Sequence, residues 1–248
     1  MARGASLGLS PRSTLKKTKN GNFQISKYWD LHDQNQVLSM NENDVRDEFF
    51  DLVEKAVKGR LIADVPVGAF LSGGIDSALT LAIAVDALGA DNVHAVMMPS
   101  RYTRSISTED AIAEAQTLGV HYRIIDIDPL LELFLDQLVP VFEGLEPDAS
   151  EENIQARIRG TLLMAVSNKT GSMVLATANK SEMAVGYTTL YGDMAGGFSV
   201  IKDVPKTLVY GLVRYRNSIN LAVPERVLHR APSAELAFDQ EDEQTLPP

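Results

Sequence analysis

No cysteine occurs anywhere in the chain, which excludes disulfides, thiolate metal sites and a cysteine nucleophile among its own residues. Long apolar runs are missing as well. None approaches the roughly 20 residues that a membrane-spanning helix needs, and the first residues lack the apolar stretch of a secretory leader. A soluble, cytoplasmic protein with no membrane partner is therefore expected. Bases are in the minority, 23 Lys and Arg against 33 Asp and Glu, for a formal charge of −10. That balance argues against a nucleic-acid partner and against an anionic membrane surface, so any anionic ligand has to be held by a local device. The lysine-bearing phosphate loop G-x-x-x-x-G-K-[ST] is also absent, which leaves the device to be found elsewhere.

What the chain does have is length and apolar content, 248 residues with 45% hydrophobic side chains, enough for one large domain or one such domain with an appendage. Residues 1–40 are polar and weakly periodic and read as a linker. The five bases and no acids of residues 1–22 also suit an organelle transit peptide. Asn43 to Arg60 carries Val45, Phe49, Leu52, Val53 and Ala56 at helical spacing, with Asn43 or Asp44 as a cap, and predicts an amphipathic helix. From Val65 onward strand and helix patterns alternate. Strands are predicted over Val65 to Leu71, Asn92 to Met98, His121 to Ile127 and Met173 to Ala178, with helices from Ser77, Ser107, Pro129 and Ser150. Such alternation predicts an α/β fold with a doubly wound parallel sheet and helices on both faces. Its ligand would sit beyond the carboxyl ends of the strands, near Ser72, Pro99, Asp128 and Thr177.

The most informative string is Val65 to Ser77, VPVGAFLSGGIDS. An apolar strand hands over to an apolar helix through Gly73 and Gly74, whose missing Cβ atoms let backbone N–H groups face an anion at a helix N-terminus. The string resembles the SGGxDS pyrophosphate loop of the N-type ATP pyrophosphatases, which have an adenine nucleotide alpha hydrolase-like fold. From Ala78 to Pro248 the chain resembles the synthetase domain of NAD synthetases, through VHAVMMPSRYTR, EENIQARIRGTLLMA, ATANKSEMAVGYTTLYGDMAGGF, KDVPKTLVY, PERVLHRAPSAEL and DQEDEQTLPP. Residues 7–77 resemble another member of the superfamily, asparagine synthetase: LSPRSTLKKTKNGNFQISKYWDL matches its interdomain region and RLIADVPVGAFLSGGIDS its loop. The domains expected are thus a linker-like segment over 1–42 and a pyrophosphatase domain over 43–248. The resemblance implies further helices beyond Pro248, a domain truncated at its C-terminus.

The resemblance implies ATP as co-substrate and Mg2+ as cofactor. Ser72, Gly73, Gly74, Ile75 and Ser77 would hold the leaving pyrophosphate. Asp76 suits a magnesium ligand, because a hard cation on phosphates takes one or two carboxylates and keeps water; a first-turn acid favoured by the helix dipole is the alternative. By resemblance, Thr177 in T-x-N-x-x-E contacts ATP, Glu182 binds magnesium or positions the acceptor, and Lys206 and Ser233 hold phosphates. Asp76, Glu182 and Lys206 form the candidate catalytic set. Asn153 and Arg157, four apart on the helix from Ser150, match positions that bind deamido-NAD, with Arg157 or Arg159 meeting its phosphates. A solvated helix face is the alternative. Tyr187, Tyr191 and Asp193 lie in a Gly-rich loop suited to cover a ring.

The implied chemistry is adenylation of the nicotinate carboxylate of deamido-NAD, then displacement of AMP by ammonia to form the amide of NAD. With no cysteine for a glutaminase, nitrogen is expected from ammonia or a separate glutaminase. Homodimers are expected from the resemblance. Amidation of aspartate, and a non-catalytic nucleotide-binding or assembly module, are the alternatives.

Overall fold

A computed structural model describes residues 13–17, 23–27, 47–48, 51–56, 59, 66–238 and 240. The chain divides into two compact units, Met1–Glu42 and Asn43–Pro248. In the first, β1 (Ser13–Lys17) pairs antiparallel with β2 (Phe23–Lys27), Leu15 opposite Ile25. A linker reading did not anticipate this pair. The overlooked signal was short-range: Asn20-Gly21, the dipeptide most favoured between hairpin strands, stands between two short β-capable runs.

In the second unit, residues 47, 48, 51–56 and 59 are helical, inside the span expected from Asn43 to Arg60. Val53 packs on the core, whereas Leu52 is exposed. Asn43, Asp44, Val45 and Phe49 lie outside the described residues.

The sheet is built from β3 (Val67–Phe70), β4 (Val93–Met97), β5 (His121–Ile124), β6 (Met173–Ala176) and β7 (Phe198–Ser199), in the order β5-β4-β3-β6-β7. Every neighbouring pair is parallel. The chain runs outward from β3 through β4 to β5 and then returns to the other side of β3 with β6, so the strand order reverses between β3 and β6. Crevices form at such reversals because the connections leave in opposite directions.

Period-2 alternation sends side chains to two cores. Val67, Ala69, Val93, Ala95 and Leu175 join α1 (Ile75–Leu88), α2 (Ser105–Leu118) and α6 (Lys206–Ile219) on one face. Val96 and Val174 join α3 (Asp128–Phe142) and α4 (Ala149–Thr170) on the other. Two short helices, α5 (Lys180–Val185) and α7 (Glu225–His229), complete the unit. Buried from Ile75 to Ala87 on nearly all sides, α1 is the central helix, in keeping with its unbroken apolar sequence. Arg216 of α6 is buried yet doubly bonded to Asp86 of α1, at 2.5 and 2.8 Å, which satisfies a charge that would otherwise oppose burial.

The predicted strands are all shorter in the structure: β3 ends at Phe70 rather than Leu71 and β4 at Met97 rather than Met98. β5 ends at Ile124 rather than Ile127, and β6 at Ala176 rather than Ala178. Pairing continues irregularly past β5, Ile125 N–H donating to Met97 O at 2.9 Å and Ile127 N–H to Pro99 O at 3.1 Å, as the chain bends away at the sheet's carboxyl edge. Among the described residues no helix is long and apolar enough to cross a membrane.

Candidate active site

A cleft of about 460 Å³ opens at the carboxyl edge where the strand order reverses. Its floor is the turn between β3 and α1. Leu71 N–H still donates to Val96 O at 3.0 Å, which pins the turn to the sheet. Gly73 then adopts φ +82°, and a Cβ there would lie 2.1 Å from the carbonyl oxygen of Ser107, so only glycine fits. Gly74 is extended and caps α1, which begins at Ile75, two residues earlier than its apolar pattern predicts. Within the turn Ser77 Oγ donates to Gly74 O at 2.9 Å and accepts from Ser72 N–H at 3.2 Å; the two hydroxyls are 3.0 Å apart. Gly74 N–H reaches Ser72 Oγ at 3.3 Å, a long bond that an arriving anion can replace. Ser72, Gly74, Ile75 and Ser77 line the cleft, while Gly73 sits behind it against Ser107.

One wall is a charged cluster. Asp76, in the first turn of α1, accepts from Asn179 Nδ2 at 2.9 Å with one oxygen and pairs with Lys206 Nζ through the other. Asn179 is fully buried and caps α5. Its side chain accepts from Glu182 N–H while the Glu182 carboxylate accepts from Asn179 N–H, both at 3.0 Å, a reciprocal capping box. At the start of α6, Lys206 N–H donates to Ser181 Oγ at 3.1 Å. Burial works against the Lys206 charge, but Asp76, and beyond it Glu182 and Tyr210, outweigh it and hold the ammonium above its ordinary range. Asp76, Glu182 and Lys206 thus meet in one cluster with Thr177 beside them. Lys206 was expected to face phosphates, and here its ammonium holds Asp76. Among the described residues no group of three or more carboxylates or histidines gathers as a metal cage.

The opposite wall is α4, begun by an Asp148 capping box. Glu152, Asn153, Ala156, Arg159, Gly160 and Leu163 face the cleft. Asn153 Oδ1 accepts from Thr189 Oγ1 at 2.7 Å. Arg157 does not line the cleft: it is exposed and its Nε donates to Leu190 O at 3.3 Å. Arg159 does, its Nε donating to Met98 O at 3.0 Å, with burial drawing its pKa down to about 10 against the carboxylates of Glu235 and Asp128. The loop after α5 rests on this helix where two glycines allow contact. A Cβ on Gly160 would lie 2.8 Å from Tyr191 O, and one on Gly192 2.9 Å from Ala156 Cβ. Asp193 Oδ1 accepts from Thr189 N–H at 2.7 Å and lines the cleft. Tyr187 lines it too, whereas Tyr191 is 79% exposed at φ 63°.

Residues 230–236 close the rim. Glu235, at φ 51°, accepts from Arg104 Nε at 2.9 Å and from Ser107 Oγ at 2.5 Å. Buried Gln155 of α4 donates to Leu236 O at 2.8 Å. Ser233 lines the cleft, though its hydroxyl donates to Gln240 O. Arg230 Nη2 donates to Gly73 O, behind the turn. Sequence reasoning missed Arg230, Glu235 and Arg104; the only signal was their position inside matched strings, Arg104 in VHAVMMPSRYTR and the other two in PERVLHRAPSAEL.

Comparison with known proteins now bears on this cleft. A family model described as NAD synthase matches residues 45–248. The chain belongs to the NAD synthase family. The match reaches back before the loop, past the helical residues 47, 48, 51–56 and 59, ahead of the strings that carried the sequence resemblance. Glutamine-dependent NAD(+) synthetase of Acinetobacter baylyi is 59% identical over 179 residues, 71% of this chain and 33% of that protein. The structure of glutamine-dependent NAD+ synthetase from Acinetobacter baumannii in complex with adenosine diphosphate superposes with a TM-score of 0.73 at 50% identity, covering 77% of this chain and 37% of that one. The NH3-dependent NAD synthetase of Campylobacter jejuni gives a TM-score of 0.64 at 33% identity over 77% of each chain. The chain spans about a third of the length of the curated relatives it matches. In this NAD synthase family member, the loop, the Asp76 cluster and α4 all open on the same cleft.

Proposed function

We propose that the cleft converts deamido-NAD to NAD, with ATP cleaved to AMP and pyrophosphate and ammonia as the nitrogen donor. The observation that carries the reading is the placement of the SGGIDS turn and the Asp76–Lys206 pair in one cleft at the strand reversal, in a chain of the NAD synthase family. The turn offers Gly74 N–H, the α1 N-terminus and the Ser72 and Ser77 hydroxyls to the phosphates that depart. These donors are held in place by bonds within the turn, so they stabilise charge growing on the leaving pyrophosphate without reorganising. The nicotinate carboxylate, seated along α4 near Asn153 and under the Gly-rich loop, attacks the α phosphorus. Ammonia then attacks the acyl carbon and AMP leaves. Alignment and charge stabilisation carry the rate, and no protein nucleophile takes part.

Asp76 and Glu182 would hold a magnesium ion at the phosphate side of the cleft. Two carboxylates beside one ammonium suit a cation that takes few protein ligands and several waters. When bound, the ion neutralises phosphate charge. Lys206 holds one Asp76 oxygen at the cleft wall, and Asn179 fixes the other. Arg159, still cationic at neutral pH, presents positive charge on the acceptor side.

A separate glutaminase remains an equal source of the ammonia in this reading, and a homodimer in a cytoplasmic setting belongs to it as well. The exposed apolar side chains of α3, Leu133, Phe134, Val139 and Val141, support pairing of copies, which light scattering on the purified chain tests. The reaction itself is tested by supplying ATP, magnesium and ammonium chloride with either deamido-NAD or aspartate. Pyrophosphate release that depends on deamido-NAD, with NAD formed, is expected. Release that depends on aspartate, or ATP binding with no release under either acceptor, would overturn the reading.

A further inference from the structure

Arg230 belongs to neither wall of the cleft, yet it reaches its floor from behind. It stands just after α7, lines the cleft, and donates to Gly73 O across 157 positions of sequence. Its other terminal nitrogen lies 3.2 Å from Asp110 Oδ2, and Asp110, buried in α2, also pairs with Arg226. The guanidinium is therefore clamped between a buried carboxylate and the carbonyl of a single peptide.

That peptide is unusual in being free to turn over. Gly73 and Gly74 flank it on both sides, and neither φ nor ψ is restrained there by a Cβ. A trans peptide places its carbonyl and its N–H on opposite sides. With Gly73 O drawn back to Arg230, Gly74 N–H points forward, where it meets only the long 3.3 Å bond to Ser72 Oγ. Turned over, the same peptide would set a carbonyl oxygen toward the anion in place of a donor.

We propose that Arg230, held by Asp110, is a positioning residue that latches the Gly73–Gly74 peptide with its N–H toward the pyrophosphate site. The inference rests on the reading of the turn as a pyrophosphate site. A cation is suited to the task because one guanidinium both pairs with the Asp110 charge and donates to the carbonyl. The latch acts before any acceptor binds, so it affects ATP and pyrophosphate and leaves the deamido-NAD side alone.

The chain contains two Gly-Gly peptides, Gly73–Gly74 and Gly196–Gly197. Protein made with glycine carrying 13C at the carbonyl and 15N at the amide therefore gives two carbonyl-linked amide signals, one of them reporting this latch. Magnesium pyrophosphate is the probe, titrated by calorimetry and by these two signals into wild type, Arg230→Gln and the double variant Asp110→Asn with Arg230→Gln. Wild type is expected to bind with a shift of the Gly73–Gly74 signal alone. Arg230→Gln is expected to bind about tenfold or more weakly, the scale of one charge-assisted hydrogen bond, with that shift lost. The double variant, which removes the buried Asp110 charge together with its Arg230 partner, is expected to bind as weakly as Arg230→Gln. Unchanged affinity in Arg230→Gln would overturn the latch while leaving the pyrophosphate site standing. So would weakened affinity with the shift intact, which would make Arg230 a direct ligand, and so would full recovery of affinity in the double variant. A wild type that binds no pyrophosphate would overturn both readings.

Discussion

Replacing Gly160 by alanine sets two effects of known size against each other. In an ordinary helix interior the change is favourable by about 0.8–1.0 kcal/mol. At this position the new Cβ would stand 2.8 Å from Tyr191 O and 2.9 Å from Gly192 O, and forcing a methyl into packed space costs about 1–3 kcal/mol. Backbone oxygens cannot rotate aside as a flexible side chain can. The loop, however, is at the surface, with Leu190 and Tyr191 largely exposed, so lifting it is easier than bending a long helix. The expected outcome is a stability within about 1 kcal/mol of wild type, a shift of no more than about 2–4 °C in melting temperature for a domain of this size. Because Thr189 and Asp193 move with the loop and Thr189 holds Asn153, the KM for deamido-NAD should rise about tenfold, about 1.4 kcal/mol, with the KM for ATP unchanged. Thermal unfolding, limited proteolysis between residues 187 and 195 and initial rates measure these together. A variant stabilised by the full helix-propensity gain, with proteolysis and KM unchanged, would refute the contact between loop and helix.

Three further outcomes follow from the same structure. Burial, with Asp110 adding to it, holds the Glu114 carboxyl well above the ordinary carboxylate range. The folded state then binds more protons than the unfolded one above about pH 4.3, so Glu114 lowers stability as pH rises through that window, by at most about 1.4 kcal/mol per pH unit. Glu114→Gln should remove this component, leaving urea midpoints flatter with pH than in wild type; parallel pH profiles would contradict it. Lys206→Met leaves Asp76 and Glu182 without their shared cation and should reduce kcat/KM by at least about a hundredfold, while wild-type rates would remove Lys206 from the site. Asn179→Ala removes a helix cap, about 1 kcal/mol, together with the bond to Asp76, so activity should fall further than the stability loss explains. An activity loss that vanishes on cooling to restore the fold would reduce Asn179 to its capping role.

The parts of the site legible in the sequence were those written in consecutive residues. Strand, two glycines, acid and helix in SGGIDS specify a turn by local rules alone; T-x-N-x-x-E was marked through the resemblance, and the structure builds from its Asn179 and Glu182 a capping box that was not foreseen. What depends on rotation about a helix axis was harder. Asn153 and Arg157 share a face by spacing, but only Asn153 lines the cleft, with Ala156, Arg159 and Gly160, while Arg157 lies outside it. Lys206 and Asp76 were both placed in the site, but not their pairing, since they lie 130 positions apart. The roles of Arg230, Glu235 and Arg104 were not legible for the same reason: each comes from a contact that only the closed chain creates. The parallel sheet followed from alternation, but the order of its strands and their ends did not; β5, for one, loses regular pairing by bending rather than by any change of composition.

The central claim is that the acceptor carboxylate is adenylated within this cleft. Deamido-NAD labelled with 18O in both oxygens of the nicotinate carboxylate, turned over with ATP, magnesium and ammonium, tests it in one mass spectrum. Adenylation followed by displacement predicts one 18O in the AMP and one in the amide of NAD. Phosphate or ADP carrying the label, or turnover that leaves AMP unlabelled, would contradict it.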